Sequence, residues 1–330
     1  MRIITLEEHF ATPAFFDGPA RFVRERAEKI GDRYVAVMDR LCDLGPRRLA
    51  EMDAAGIDMQ VLSLSAPGVE QMPVAEAVAM AAATNDYLAE AVAAHPTRYA
   101  GFAALPTGAP ARAVAELERR MAGGFVGAVI NGHNQGRYLD DKFYWPILEA
   151  AAALRAPIYL HPTPPPQAVI DASYGGFAPM VTDMLAGAAW GWHIETGLHV
   201  LRLILGGVFD RFPDLQIIIG HLGEGLPFFF RRVDILPVAT TGLQRPISDY
   251  LRSNVHYTFA GMNFPATFLD LLLELGGCER IMFSADYPYQ SMREARDFLD
   301  HLPASRTDIA RIAYGNAERL LKLPPEQPDR

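Results

Sequence analysis

Short apolar runs alternate with longer amphipathic segments along most of this chain. Most of the short runs are continuously apolar, which is typical of parallel strands that are covered on both faces. The predicted strands are Arg2–Leu6, Met59–Leu64, Tyr99–Ala104, Val126–Asn131, Ile158–His161, Gln216–Gly220, Val255–Phe259 and Arg280–Phe283. Helical spacing and composition predict helices at Ala75–Ala94, Ala111–Met121, Asp141–Leu154, Gly197–Phe209, Phe264–Leu275, Met292–His301 and Arg306–Leu321.

This alternation predicts the fold class. A strand followed by a helix, repeated around the chain, favours an α/β fold of the (β/α)8 TIM-barrel type. An open, doubly wound sheet is the alternative that the pattern alone leaves open. The 330 residues fit one barrel domain over residues 1–330, because such barrels typically need about 250 residues.

Two segments interrupt the simple alternation. An insertion, Ala11–Pro46, follows strand one, and a loop rich in Pro and Gly, His161–Pro179, follows strand five. Both leave the carboxyl end of a strand, where barrel enzymes carry their active sites. We interpret both as active-site covers, the second as a long lid loop, and passive surface excursions are the alternative. The polar tail Pro324–Arg330 is predicted to be disordered.

Composition and charge exclude several classes of function. The net charge is −9, which argues against a nucleic-acid partner because such partners require a basic face. No uncharged apolar stretch reaches the roughly 20 residues of a membrane helix, and the first residues lack a signal-peptide pattern. The two cysteines, Cys42 and Cys278, predict no disulfide framework and fit a reduced, cytoplasmic setting.

Side chains that bind metals fall at the carboxyl ends of several predicted strands. Glu7 and His9 follow strand one, at a spacing that puts both side chains on one side of an extended chain. His161 ends strand five, His221 follows strand six, and Asp286 follows strand eight. In a closed barrel these ends surround one opening, so we predict a metal site there. Carboxylate and imidazole ligands suit Zn, Mn or Fe(II) better than Ca or Mg.

Each of these residues has another explanation when it is taken alone. A histidine at a strand end is more often a hydrogen-bonded structural residue than a ligand. Glu7 could be a salt-bridge partner, and Asp286 could cap the next helix. The prediction therefore depends on the coincidence of all these residues at one rim.

Several segments of the chain resemble one family of enzymes. They are ITLEEHF, YLHP, WGWHIETGLHVLRLILGGVFDRFPDLQIIIGHLGEGLPFFFRRVD and FSADYPY. These segments are similar to the amidohydrolase superfamily, and most of all to its decarboxylase branch, the aminocarboxymuconate-semialdehyde and γ-resorcylate-type hydroxybenzoate decarboxylases. The resemblance extends from Ile3 to Leu321. It implies a distorted (β/α)8 barrel, one Zn or Mn ion, and a homodimer or homotetramer.

The resemblance also implies roles for individual residues. It makes Glu7, His9, His161 and Asp286 the metal ligands, His221 the catalytic histidine, and Arg232 a substrate-carboxylate arginine that in several relatives reaches a neighbouring subunit's site. The first motif reads Glu-x-His, as in the hydroxybenzoate decarboxylases, where the wider superfamily commonly has His-x-His. After Asp286 the chain reads Tyr-Pro-Tyr rather than Trp-Pro-Phe or similar, which leaves the aromatic pocket, and hence the substrate, undetermined.

The reaction that this resemblance implies is nonoxidative, reversible decarboxylation of a small aromatic carboxylate such as 2,6- or 2,3-dihydroxybenzoate or salicylate. The ion would hold the substrate and stabilise phenolate charge, while an acid protonates the carbon that bears the carboxylate. Asp286 is favoured as that acid with His221 holding it, and the reverse assignment stays open. Glu224 lies three residues after His221 and could orient its imidazole. Alternatively, it is only an acidic residue that interacts favourably with the dipole at the N-terminus of the next helix.

Further substrate contacts are predicted on less specific grounds. Arg232 could form a bidentate pair with the substrate carboxylate, and Arg231 beside it is the competitor. Asn131, at the end of strand four, could bond a ring hydroxyl, and Trp190 could form a wall of the pocket. Packing roles fit Asn131 and Trp190 equally well.

A surface for a second subunit is predicted in the segment Leu226–Pro237, which is very apolar around its two arginines. A monomer should not expose such a surface, and an internal core helix is the alternative. His193 and His199 are interpreted as structural or interfacial residues.

Two other functions compete with decarboxylation. In a metal-dependent hydrolase of a lactone, ester or amide, the same ion would activate water and Asp286 would take its proton. The other is a non-enzymatic barrel that keeps its site only for ligand binding or assembly. Loss of a metal ligand would have favoured it, yet all four candidates are present.

Overall fold

The computed structural model describes residues 1–18 and 20–324, so residues 325–330 of the predicted disordered tail lie outside the described residues. Within the described residues, eight parallel strands follow one another around the sheet in sequence order. They are β1 (Ile4–Phe10), β2 (Met59–Leu64), β3 (Tyr99–Ala104), β4 (Gly127–Asn131), β5 (Ile158–His161), β6 (Ile217–Ile219), β7 (Val255–Thr258) and β8 (Ile281–Met282).

The helices cover the outside of this sheet and its two ends. The first half of the chain contains α1 (Pro13–Asp17), α2 (Arg21–Ile30), α3 (Asp32–Leu41), α4 (Pro46–Ala55), α5 (Val74–Ala94), α6 (Pro110–Ala122) and α7 (Trp145–Leu154). The middle contains α8 (Gln167–Ser173), α9 (Pro179–Ala186), α10 (Gly191–Leu205), α11 (Val208–Arg211), α12 (Phe230–Val233), α13 (Val238–Thr241) and α14 (Ile247–Ser253). The last part contains α15 (Pro265–Leu275), α16 (Met292–Asp300), α17 (Arg306–Ala310) and α18 (Asn316–Leu321).

Backbone hydrogen bonds bring the last strand next to the first. The amide of Leu6 donates to the carbonyl of Phe283 (3.1 Å), and the amide of His9 donates to the carbonyl of Tyr287 (2.8 Å). Every residue of the strands is buried, which explains their continuously apolar sequences. The predicted (β/α)8 barrel is confirmed, and the carboxyl ends of its strands form one mouth.

Some predicted element boundaries are wrong. Strand β1 was expected to end at Leu6, but it continues to Phe10 through a bulge at Glu7, whose φ is 65°. The polar residues at the end of β1 are buried in the barrel mouth, so their polarity does not mark a loop. Helix α10 begins at Gly191 rather than at Gly197. The helix predicted over Arg306–Leu321 is interrupted by a π-helical segment.

The two irregular segments contain secondary structure of their own. The insertion after β1 folds into α1, α2 and α3, and returns to the end of β1 where the amide of Ala11 donates to the carbonyl of Leu41 (2.9 Å). The segment after β5 contains α8 and leads into α9. Their roles as active-site covers remain predictions.

A buried arginine fixes the end of β1. Arg48, in α4, is fully buried and donates to the carbonyls of His9 (2.6 Å) and Asp43 (2.9 Å). Its guanidinium also lies over the ring of Tyr287, which follows β8. These contacts hold the backbone of β1 and the segment after β8 together at the barrel mouth.

Within the part of the chain that the structure describes, no helix combines the length and the apolar composition needed to cross a membrane.

Candidate metal centre and active site

The carboxylate of Glu7 is held at the centre of the barrel by neighbouring strands. Tyr159 of β5 and Thr258 of β7 both donate to its Oε2, the latter at 3.1 Å. Gly220, after β6, leaves the space that this carboxylate occupies, since a Cβ there would overlap it. One oxygen of Glu7 is therefore fixed by hydrogen bonds, while Oε1 has no hydrogen-bond partner among the described residues.

The predicted ligand residues come together around this free oxygen. Nε2 of His161 lies 3.6 Å from Oε1 of Glu7, and Nε2 of His9 lies 3.2 Å from Oδ1 of Asp286. One ligand atom from each of Glu7, His9 and His161 lies within 4.8 Å of the others. The rings of His9 and His161 meet edge to face at 4.9 Å between centroids. Residues from β1, β5 and the segment after β8 thus share one small volume.

The chemistry of this donor set fits a divalent cation. Neither ring nitrogen of His9 has a hydrogen-bond partner among the described residues, although both are buried. Burial raises the pKa of Glu7 and that of Asp286, and lowers the pKa of His9 to about 3. Buried carboxylates beside neutral imidazoles are costly unless a positive charge offsets their desolvation. A bound ion would supply that charge and use the unpartnered atoms.

The backbone of the site is strained at several positions. Glu7, His221, Glu224 and Asp286 all have positive φ values, between 50° and 65°. For residues other than glycine this conformation costs on the order of 1 kcal/mol each. Such strain persists only where surrounding contacts hold it, and it is concentrated here at the barrel mouth.

The loop after β6 presents an imidazole beside the ligand cluster. Nδ1 of His221 lies 3.9 Å from Oε1 of Glu7 and donates to Oε1 of Glu224 at 2.7 Å. Burial alone would lower the pKa of His221, but the facing carboxylates of Glu224 and Glu7 outweigh it and raise the pKa to about 10. This hydrogen bond is the contact that an orienting role for Glu224 requires, and the role itself stays a prediction.

His193 was interpreted from the sequence as a structural or interfacial residue. Its Nδ1 lies 2.6 Å from Oε2 of Glu224, and its ring lies 4.6 Å from that of His221. The sequence could not show this contact, because His193 and Glu224 lie 31 residues apart in the chain. The three side chains lie close enough to hold an ion, but both Glu224 oxygens already accept hydrogen bonds, so we interpret them as a hydrogen-bonded chain.

A second buried glutamate near the site was not singled out in the sequence. Glu8 points away from the ligand cluster and accepts from the amides of Ala285 (2.8 Å) and Tyr287 (3.2 Å) and from Nε2 of Gln60 (3.2 Å). Burial raises its pKa to about 8. Glu8 therefore ties β1 to the segment that carries Asp286, and its place between Glu7 and His9 was the signal that could have revealed it.

The residues predicted to contact substrate differ in how near they lie to the ligand cluster. Asn131 is buried next to His161 in the strand register, and its Oδ1 has no hydrogen-bond partner among the described residues. Trp190 is 55% exposed, whereas Trp192 lies nearer the cluster, with its ring 6.2 Å from that of His161. Both predicted substrate contacts remain predictions.

The two arginines of α12 are on the outside of a single chain. Arg231 is exposed and pairs with Glu274 (3.2 Å). Arg232 is also exposed and makes no hydrogen bond or ion pair with the cluster among the described residues. The role of Arg232 in binding the substrate carboxylate therefore stays a prediction.

Comparisons with known proteins agree with this geometry. The amidohydrolase family profile matches residues 9–323. The γ-resorcylate decarboxylase of Polaromonas sp. is 40% identical, over 97% of this chain and 98% of its own length. The structure of a 2,6-dihydroxybenzoate decarboxylase complexed with 2,6-dihydroxybenzoate has a TM-score of 0.86 and 37% identity, over 98% of this chain and 100% of that chain.

A second solved structure is that of 5-carboxyvanillate decarboxylase from Novosphingobium aromaticivorans, complexed with manganese and 4-hydroxy-3-methoxy-5-nitrobenzoic acid. It has a TM-score of 0.89 and 34% identity, over 98% of this chain and 96% of that chain. These likenesses confirm the resemblance seen in the sequence segments. This chain belongs to the amidohydrolase family.

Proposed function

We propose that this chain is a metal-dependent, nonoxidative decarboxylase of a hydroxylated aromatic carboxylic acid. The observation that carries the proposal is the convergence of Glu7, His9, His161 and Asp286, with the bonded pair His221–Glu224 beside them. The substrate class is supported by relatives named for γ-resorcylate, 2,6-dihydroxybenzoate and 5-carboxyvanillate. The substrates that we propose are 2,6- or 2,3-dihydroxybenzoate or a salicylate.

Glu7, His9, His161 and Asp286 would hold one divalent ion in this proposal. Manganese is supported by the relative that binds it, and zinc by the mixed carboxylate and imidazole ligands. When bound, the ion supplies a Lewis acid that holds the substrate oxygens and stabilises phenolate charge.

The protein's own residues then move one proton. Asp286 gives its proton to the ring carbon that bears the carboxylate, which interrupts aromaticity. The bond from that carbon to the carboxylate carbon breaks, its electron pair returns to the ring, and CO2 leaves. His221, held by Glu224, positions Asp286 and the substrate during this step. Each turnover consumes one proton, so Asp286 must be reprotonated before the next.

Decarboxylation and hydrolysis can be separated in one experiment. We expect purified protein loaded with Mn²⁺ to release CO2 from at least one of 2,6-dihydroxybenzoate, 2,3-dihydroxybenzoate and salicylate, and to leave aryl esters and lactones intact. CO2 release is measured directly and the phenolic product by chromatography. Removal of the ion with a chelator should lower the rate by more than about 100-fold, because substrate binding and charge stabilisation are both lost.

Reloading the chelated protein with Mn²⁺ or with Zn²⁺, in parallel, is the control for damage by the chelator and identifies the better metal. Ester or lactone hydrolysis without CO2 release would contradict the proposal. Decarboxylation that continues unchanged in metal-free protein would contradict it as well.

We further propose that the chain works as a homodimer or homotetramer. The side chain of Phe228 is 86% exposed, which supports a subunit surface rather than an internal core helix. Phe229, Ile235, Leu236 and Leu273 are also exposed apolar residues. A surface of this kind is typical of a subunit interface. It also includes Arg232, which could then reach the substrate of a neighbouring subunit.

The expected outcome in sedimentation is an oligomer for the wild-type protein and a monomer for Phe228→Asp/Ile235→Asp, because a buried unpaired charge disrupts an apolar interface. Val74→Asp, which alters an exposed apolar residue of α5, is the matched control and should remain oligomeric. A wild-type monomer at micromolar concentration would refute this assembly.

We also propose that residues 1–330 act as one barrel domain in a cytoplasmic setting. The domain is supported by the cluster itself, which combines residues from the first and last strands. The setting is supported by Cys42 and Cys278, which are both free thiols.

A further inference from the structure

Glu224 joins two imidazoles that come from different parts of the chain. Its Oε1 accepts from Nδ1 of His221 at 2.7 Å, and its Oε2 accepts from Nδ1 of His193 at 2.6 Å. Burial alone would raise the pKa of Glu224, but the facing imidazoles of His221 and His193 lower it to about 2. An ionised carboxylate accepts hydrogen bonds and donates none, so both Nδ1 atoms carry protons.

The loop that carries His221 and Glu224 needs external support. Residues 221–225 all have positive φ values, and only two of them are glycines. A run of positive φ values is costly for residues other than glycine. The backbone contacts of the loop include the amide of Leu222, which donates to the carbonyl of Thr258 at 2.8 Å. The hydrogen bonds of the Glu224 carboxylate hold the loop in place as well.

One face of α10 contacts Glu224 and supports the loop. His193 and Gly197 are four residues apart, and therefore lie on the same side of the helix. A Cβ on Gly197 would lie 2.9 Å from the carbonyl oxygen of Glu224, so the helix approaches this backbone closely. The same helix thus contacts the main chain of Glu224 through Gly197 and its carboxylate through His193.

The other nitrogen of His193 is also occupied. Its Nε2 lies 3.1 Å from the indole nitrogen of Trp192 and 3.0 Å from the carbonyl oxygen of Ala188. The ring is therefore held on both sides. A side chain that only filled space would not require hydrogen bonds at both nitrogens.

We propose that His193 is a positioning residue of the active site. It fixes the second oxygen of Glu224, and Glu224 in turn holds His221 in one orientation, with a proton on Nδ1. Nε2 of His221 is then left free for the substrate or for Asp286. This inference rests on the proposed function only in the experiment that measures activity.

The activity test compares two substitutions of His193. His193→Leu removes the donor, and we expect kcat for CO2 release to fall by about 10- to 100-fold with KM and bound metal nearly unchanged. His193→Asn places an amide N–H near the former Nδ1 and should recover most of the rate. Adding His193→Leu to Glu224→Gln should cost little more than Glu224→Gln alone, because the two residues act as one unit.

Arg202→Gln is the matched control on the same helix. Arg202 pairs with Asp140 at the protein surface, so this variant should keep the wild-type rate. Equal losses in the Leu and Asn variants would overturn the inference, as would a wild-type rate for His193→Leu.

A second readout needs no activity. In metal-free protein with ¹⁵N-labelled histidines, the Nδ1–H signal of His221 is assigned by its loss in His221→Ala. We expect this signal to shift or broaden in His193→Leu and to return in His193→Asn. An unchanged signal in His193→Leu would overturn the inference even if no substrate is found, whereas the absence of CO2 release by the wild-type protein would count against the proposed function alone.

Discussion

Asp286→Asn is expected to abolish decarboxylation and to weaken metal binding. The amide has the size of the carboxyl group but brings neither its transferable proton nor its charge to the cluster, where Oδ1 lies 3.2 Å from Nε2 of His9. Loss of a general acid alone lowers kcat by about 10²- to 10⁴-fold. Loss of a charged ligand lowers the retained metal in addition. The measurements are CO2 release at saturating Mn²⁺ and metal content after dialysis.

Asp53→Asn is the matched control for this substitution. Asp53 is an exposed residue that pairs with Arg98 at the surface, and exposed pairs contribute about 0–1 kcal/mol. This variant should keep its metal and its rate. If Asp286→Asn retained the wild-type kcat once metal was saturating, Asp286 would be neither the acid nor an essential ligand.

The barrel was predictable from the sequence because covered parallel strands have continuously apolar sequences. The strand ending at His161 was predicted with its observed boundaries. The carboxyl ends of such strands share one rim, which is why residues as distant as His9 and Asp286 could be expected to meet. Their chemical roles depend on a metal ion and a substrate, which are not part of the chain, and these roles stay predictions.

Backbone detail could not be predicted in the same way. The bulge at Glu7 requires a positive φ at a glutamate, and propensity disfavours that conformation. The early start of α10 was missed because Trp190, at its N-cap, makes no side-chain capping bond and so gives no start signal. The contact between His193 and Glu224 was missed for a different reason, since the two residues lie 31 positions apart in the chain.

Polar contacts inside the barrel are equally hard to infer from sequence. Tyr159 reads as one residue of an apolar strand, yet its hydroxyl donates to Glu7. Gly220 reads as a strand terminus, yet its missing side chain makes room for the Glu7 carboxylate. In both cases the function of the residue depends on a partner far away in the chain, and periodicity carries no information about that partner.

His221→Ala should also abolish turnover, but with most of the metal retained. Nδ1 of His221 bonds Glu224 and lies 3.9 Å from the nearest candidate ligand oxygen, that of Glu7. Because Glu224 engages its Nδ1, we assign this imidazole to the proposed reaction rather than to the ligand set. We expect kcat to fall by about 10²- to 10⁴-fold and metal content after dialysis to stay close to that of the wild-type protein.

The stability of this variant should change only moderately. Glu224 loses one of its two hydrogen bonds but keeps the one from His193, and an unsatisfied buried acceptor costs about 1–3 kcal/mol. Denaturant unfolding measures this loss, and His301→Ala, which alters an exposed histidine, is the control.

Asp286→Asn should lose both bound metal and catalytic rate, whereas His221→Ala should lose catalytic rate alone. A wild-type rate in His221→Ala would refute the chemistry assigned to this site.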